Sequence, residues 1–323
     1  MANGVLILAE HLRGELSDIT YEMLGAGRKL ADALGSPLHA VLIGRGVGAL
    51  APKLGLADKV FVIEKPDLEV PPAKLVAGAV HHLMQKAQDG LVLVAGTNLS
   101  MGVGTALGER AGVPFVNFGR EMKAADGGVV VTSQLFGGKI LSDVRLADAR
   151  GVVCVYPGSS PADAGKSDKA AVVETLDVPV EAPDVAFKRF IEPEAGDVDI
   201  TKQDALIAIG RGIQTQDNIE LAQELADVLG GAVCGSRPVV DQGWLPLTRQ
   251  VGKSGMTVKP RLYMAFGISG APEHWEGMQN SKLIVAVNTD ANAPIFDFAH
   301  YGVCGDLLEI LPALVEKIKA RKG

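Results

Sequence analysis

The sequence predicts an α/β fold: an N-terminal doubly wound, mostly parallel sheet with an antiparallel extension, then a second doubly wound domain. Three observations predict it. Short β-branched runs alternate with stretches of helical periodicity, the signature of βαβ units. Those runs are apolar throughout, as strands buried on both faces of a parallel sheet must be. Finally, 323 residues exceed what one ordinary core serves, and the alternation lapses after residue 114 and restarts near 205.

In chain order, residues 5–9, 38–44, 59–63 and 91–96 are strands bounded by Gly, Pro or Asp. Helices are expected over 20–34, 46–54, 72–88 and 100–111, the last with Ser100 as its N-cap. Between 114 and 157 strands and turns replace helices. Residues 129–134, 139–146 and 152–156 should form the antiparallel extension, turning at Gly127-Gly128 and Gly137-Gly138. The Gly/Ser/Pro/Asp-rich stretch 158–169 reads as a mobile loop. Residues 181–199 mix Pro and acidic residues around a strand-like piece at 187–191, so the domains are expected to be 1–190 and 191–323. The second domain reads as strand 205–209, helix 215–229, strand 232–235, strand 263–266, helix 271–279, strand 283–287 and a closing helix 306–320 that Pro312 should kink or interrupt.

Composition narrows the function. With 47% apolar and 21% charged residues the chain should be compact, and a net charge of −7 without a Lys/Arg cluster argues against nucleic acid. The longest apolar runs, 91–95 and 283–287, are strand-sized and far below the roughly 20 residues a membrane-spanning helix needs. Residues 1–10 lack a basic leader, and Cys154, Cys234 and Cys304 form no CxxC pair or metal framework. A cytoplasmic protein with reduced thiols is expected. His81 and His82 are adjacent rather than at i, i+4 spacing and suit no metal.

Residues 236–306 concentrate the chemistry. SRPVVDQGW, QVGKSG, GISGAPEHWEGM, NTDANAPIF and YGVCGD each end a hydrophobic stretch and open a turn, so their polar groups can meet at one sheet edge. Gly267-Ile268-Ser269-Gly270 leaves a strand and opens a helix, a geometry whose free backbone amides suit phosphate. Unaided, that turn is better explained as a ligand-free strand–helix turn, and ordinary turn chemistry explains any one of Arg211, Asn288 and Asp306.

In this order the blocks resemble the flavin-binding domain of the electron-transfer flavoprotein alpha subunit family, most specifically over 210–314. LVLVAGTNLSMGVGTALGERAGVPF is similar to the family's N-terminal core. The resemblance implies FAD in the C-terminal domain, a heterodimer with a beta subunit packed on the N-terminal domain, and electron shuttling from a dehydrogenase to a quinone- or ferredoxin-linked acceptor. A nucleotide in this chain's N-terminal domain is not implied. It places Arg237, beside Ser236, over the flavin ring, where a fixed cation favours electron gain. It places Ser254 where the family has Thr, near the ring's N5 and O4 edge, with Gln250, Gly252 and Gly255 completing that loop. His274 falls near the ring's C2 oxygen, where an imidazole donor would stabilise negative charge. Glu273 stands where the family has Gln and puts redox tuning in question. Gly267, Ile268, Ser269 and Gly270, with Arg211, Asn288 and Asp306, would surround the pyrophosphate and adenosine end. His300 stands where the family has Asp and is not counted as a ligand. Two rival readings are a nicotinamide-dependent oxidoreductase on a related fold and a redox-silent nucleotide-binding interaction subunit. The first needs an acid/base pair that the sequence does not offer.

Overall fold

The computed structural model describes residues 4–322 apart from 67, 88–89, 101, 126, 180–184, 186 and 191–197. Its contacts divide into two units, Met1–Arg189 and Phe190–Gly323.

The first unit opens with β1 (Val5–Leu8), a small hairpin β2 (His11–Leu12) and β3 (Glu15–Leu16), and α1 (Asp18–Leu34). It continues through β4 (Leu38–Gly44), β5 (Lys59–Glu64), α2 (Ala73–Ala87), β6 (Leu91–Ala95) and α3 (Val103–Ala111). Then come β7 (Phe115–Ala125), β8 (Gly128–Leu135), β9 (Ile140–Ala147), β10 (Gly151–Val155) and β11 (Val173–Thr175). The sheet order is β11-β5-β4-β1-β6-β10-β7-β8-β9, parallel except for the antiparallel β7-β8-β9 ribbon. β1 and β6 are buried at every position, with separate apolar clusters on the two faces of the sheet, which is why their sequences do not alternate.

Several expectations need correction here. The helix expected over 46–54 is present at 47–54 but in 3₁₀ form, with Pro52 inside it. Ser100 does not cap α3. The helix starts at Val103 after Gly102, whose φ of 85° favours glycine, while the Ser100 hydroxyl donates to Glu10 Oε2 at 2.6 Å. β10 is not part of the antiparallel extension but inserts, parallel, between β6 and β7. The stretch 158–169 is mostly exposed but is anchored at Gly165, which is buried. A 3₁₀ turn at Ala162–Gly165 lies on α1, and the Gly158 amide donates to the Glu22 carboxylate at 2.8 Å. Of the strand-like piece 187–191, residues 187–190 carry no strand, and 191 lies outside the described residues.

The second unit comprises β12 (Ala205–Ile209), α4 (Ile219–Leu229), β13 (Ala232–Gly235), a short α5 (Arg237–Asp241), β14 (Leu262–Phe266), α6 (Pro272–Met278), β15 (Ile284–Asn288), β16 (Tyr301–Cys304) and α7 (Leu307–Lys322). All neighbours in its sheet, β13-β12-β14-β15-β16, run parallel. α4 starts at Ile219 rather than 215. Asn218 spends its side-chain amide on the Ile213 carbonyl, 2.8 Å away, which holds the preceding turn. α7 runs on through Pro312 instead of breaking. Burial of Leu307, Leu311 and Val315 offsets the missing amide donor.

The winding of the second sheet fixes where a ligand can enter. From β12 the chain crosses to β13 on one side, then returns to lay β14 on the other. The loops after β12 and β14 therefore diverge and leave a crevice at the carboxyl ends of those strands, the general position for ligands in open parallel sheets. Among the described residues, no helix is long and apolar enough to cross a membrane.

Candidate functional site

A cleft of about 780 Å³ occupies that crevice, towards the upper end of the roughly 300–1,000 Å³ usual for ligand pockets. Its floor is glycine backbone. The Gly210 amide donates to the Phe266 carbonyl at 2.9 Å, and that of Gly212 to Gly267 at 3.2 Å. A Cβ on Gly212 would stand 2.7 Å from the Gly267 Cα, so these loops close only without side chains.

The walls come from the loops that follow each strand. Arg211 extends from the turn after β12. Ser236 and Arg237 stand at the junction of β13 and α5. Gln250, Gly252 and Ser254 come from the 250–256 loop, and Gly267, Ile268 and Ser269 from the end of β14. Glu273 and His274 lie on α6, Asn288 ends β15, and Asp306 precedes α7. All of these line the cleft. Gly255 and Gly270 do not: their missing side chains serve close backbone approaches to Gln250 and Ile295.

Several wall residues hold the site together as well as facing it. Gln250, 3% exposed, donates from Nε2 to Ser254 Oγ at 2.9 Å, while the Lys253 amide donates to the Glu273 carbonyl at 2.7 Å. The first bond braces the 250–256 loop internally, and the second ties that loop to α6. Asn288 Nδ2 donates to the Ile268 carbonyl at 2.9 Å, and its Oδ1 accepts from the Asp290 amide at 3.0 Å. Asp306 Oδ1 accepts the Leu308 amide at 2.9 Å and so caps the first turn of α7. Arg237 reaches Asp241 at 3.3 Å, with both side chains more than half exposed, so little energy holds it there.

The electrostatics favour an anionic guest. Arg211, Arg237 and Lys253 line the cleft against Glu273 and Asp306, and Lys253 Nζ lies 3.4 Å from Glu276. His274 is the buried titratable group of the lining. Burial pulls its pKa down to about 4, only partly opposed by the Val251 backbone, so the ring is neutral at pH 7. Its Nε2 lies 2.9 Å from the Tyr263 hydroxyl, and its Nδ1 is buried without a hydrogen-bond partner among the described residues. The imidazole is thus engaged with a phenol rather than a serine. Such an arrangement is suited to binding and polarising a guest rather than to activating a nucleophile.

The sequence reading did not single out Gly212, Gln214, Lys253, Thr289 or Leu307, which also line the cleft. Lys253 was recoverable, as the cation inside QVGKSG between two named residues. Gln214 was not: it adopts φ 70°, a conformation that glutamine rarely signals.

Comparison with known proteins converges on one group. A family model described as "Electron transfer flavoprotein FAD-binding domain" matches residues 199–279, and one described as "Electron transfer flavoprotein domain" matches 5–181. "Protein FixB" of Clostridium saccharobutylicum is 34% identical, covering 98% of this chain and 96% of its own. "Electron transfer flavoprotein subunit alpha" of Thermoanaerobacterium thermosaccharolyticum is 35% identical over 98% of both. "Lactate dehydrogenase (NAD(+),ferredoxin) subunit LctC" of Acetobacterium woodii is 33% identical, covering 98% of this chain and 77% of its own.

Proposed function

The chain belongs to the electron transfer flavoprotein alpha subunit family, whose work is electron transfer at a bound flavin, and from that premise we propose that the second-unit cleft holds FAD. The observation that carries the proposal is the large cleft at the β12/β14 switch point, walled by cations and a neutral imidazole. The residues suit the group. The volume admits a dinucleotide, the cations match a pyrophosphate, and the buried, unpartnered Nδ1 of His274 leaves hydrogen-bonding capacity unspent.

When bound, the flavin supplies the redox chemistry. The chain supplies position and field. Arg211 and Ser269 would hold phosphate, and Asn288 and Asp306 would brace the adenosine end. Arg237 leaves its weak pair with Asp241 to place a cation at the ring, which favours electron gain. Ser254, oriented by Gln250, offers a hydroxyl to the ring edge. His274 offers a neutral N–H where negative charge develops. Glu273 is exposed beside it and sets a carboxylate against that charge.

We further assign the chain to a cytoplasmic heterodimer with a beta subunit, accepting electrons from a dehydrogenase and passing them to a quinone- or ferredoxin-linked acceptor. The name of the Acetobacterium woodii relative, which joins a dehydrogenase to ferredoxin, supports that choice. Purification of the chain with its partner, followed by absorption spectroscopy, tests the site. Yellow, FAD-containing protein is expected, with cofactor lost from an Arg237→Ala/Ser254→Ala/His274→Ala variant. Colourless wild-type protein, or full retention in the folded variant, overturns the assignment.

A further inference from the structure

Behind His274 lies a chain of buried hydrogen-bonding groups that cofactor binding alone does not require. Tyr263 on β14 is fully buried, and its hydroxyl lies 2.9 Å from His274 Nε2. The same hydroxyl hydrogen-bonds the thiol of Cys234 on β13, also fully buried. Arg249 is the charged group acting on this chain, through Cys234. A phenol has one proton to give, and its two neighbours compete for it. An imidazole nitrogen is a strong acceptor, whereas a thiol sulfur is a weak one that can itself donate. Burial pushes the Cys234 thiol up to about 12 and the Tyr263 phenol well above its ordinary value, so both keep their protons. The favoured order runs from Cys234 S–H to the Tyr263 oxygen, and from Tyr263 O–H to His274 Nε2.

We propose that Tyr263 is a positioning residue that fixes the tautomer of His274, leaving the ring's one hydrogen on Nδ1, the nitrogen without a hydrogen-bond partner among the described residues. Resting on the FAD reading above, this makes His274 an obligate donor toward the electron-rich edge of the flavin rather than an acceptor. Without the phenol the ring divides between tautomers, and only the fraction with hydrogen on Nδ1 is competent. A competent fraction of one half to one fifth weakens flavin binding roughly two- to fivefold.

The test is nitrogen NMR of histidine-labelled full-length chain with its co-purified partner, before and after flavin removal, with the His274 signal assigned by its loss in His274→Ala. The expected result is hydrogen on Nδ1 in the wild type at pH 7. In Tyr263→Phe the tautomers should mix, the ring's titration midpoint should rise toward the ordinary histidine range, and FAD affinity should fall about two- to fivefold. Wild-type hydrogen on Nε2 overturns the proposal even if the variant does not fold, and so does an unmoved tautomer and midpoint in a folded variant. Because the tautomer is also read without flavin, hydrogen on Nδ1 in a chain that binds no FAD would sink the cofactor assignment and leave this one standing.

Discussion

His274 is 6% exposed, and burial holds its pKa near 4 against about 6.5 in an unfolded chain. Below pH 6.5 the unfolded state takes up a proton that the folded state refuses, so acidification costs stability. The loss grows through the window from pH 6.5 to 4 and levels off below it, reaching about 3 kcal/mol at roughly 1.4 kcal/mol per pH unit. Denaturant unfolding as a function of pH should show that slope in the wild type and a shallower one in His274→Gln; equal slopes would contradict the burial argument. The cysteines give a second residue-scale prediction. Cys304 is exposed, whereas burial raises Cys154 to about 11 and Cys234 to about 12. A disulfide reagent at pH 8 should modify Cys304 first, with Cys234 reacting only on unfolding. Rapid loss of the Cys234 thiol in folded protein would show that its side of the sheet opens.

Among the elements, the 3₁₀ turn at Ala162–Gly165 shows how close packing substitutes for regular structure. A Cβ on Gly165 would sit on the Tyr21 carbonyl of α1, and one on Gly25 would stand 3.0 Å from the Ala164 backbone. Gly165→Ala should therefore cost on the order of 1–3 kcal/mol, read as a lower urea midpoint, because the segment must lift off α1. An unchanged midpoint would show that the segment is not packed as described. This feature also marks what the sequence left hidden. The stretch 158–169 has loop composition, and only a tertiary partner reveals its glycines as contact points. β7 hid for a related reason. Its eleven residues include Asn117, Arg120, Glu121 and Lys123, and a register shift beside β8 breaks their period of two. The fully buried strands β1, β6 and β12 were legible because burial on both faces leaves no polar position to interrupt the run, and β4 nearly so, with only the half-buried His39 breaking it. Ser100 misled because a serine before a helical run matches an N-cap in sequence, while in space its hydroxyl belongs to Glu10.

Across the whole molecule, each unit has a sheet with a reversal in strand order, and the two reversals differ. In the first unit the crevice at β1 and β6 is filled from within. The Glu10 carboxylate accepts from the Thr97 and Ser100 hydroxyls, and the adjoining void is about 50 Å³. In the second unit the corresponding crevice is floored by glycine and open to about 780 Å³. The loop motifs marked this second crevice in the sequence because glycine, arginine and histidine are kept there by geometry and charge. The sealing of the first could not be read, since it needs Glu10 and Ser100, ninety positions apart, to meet. One flavin is thus expected in the second unit and none at the first unit's reversal. Hydrogen–deuterium exchange of the purified complex, with FAD and after its removal, tests this most directly. FAD should slow exchange in the amides of 250–256 and 267–274 while the ends of β1 and β6 stay unchanged; protection at Glu10 and Ser100, with none in the second-unit loops, would contradict it.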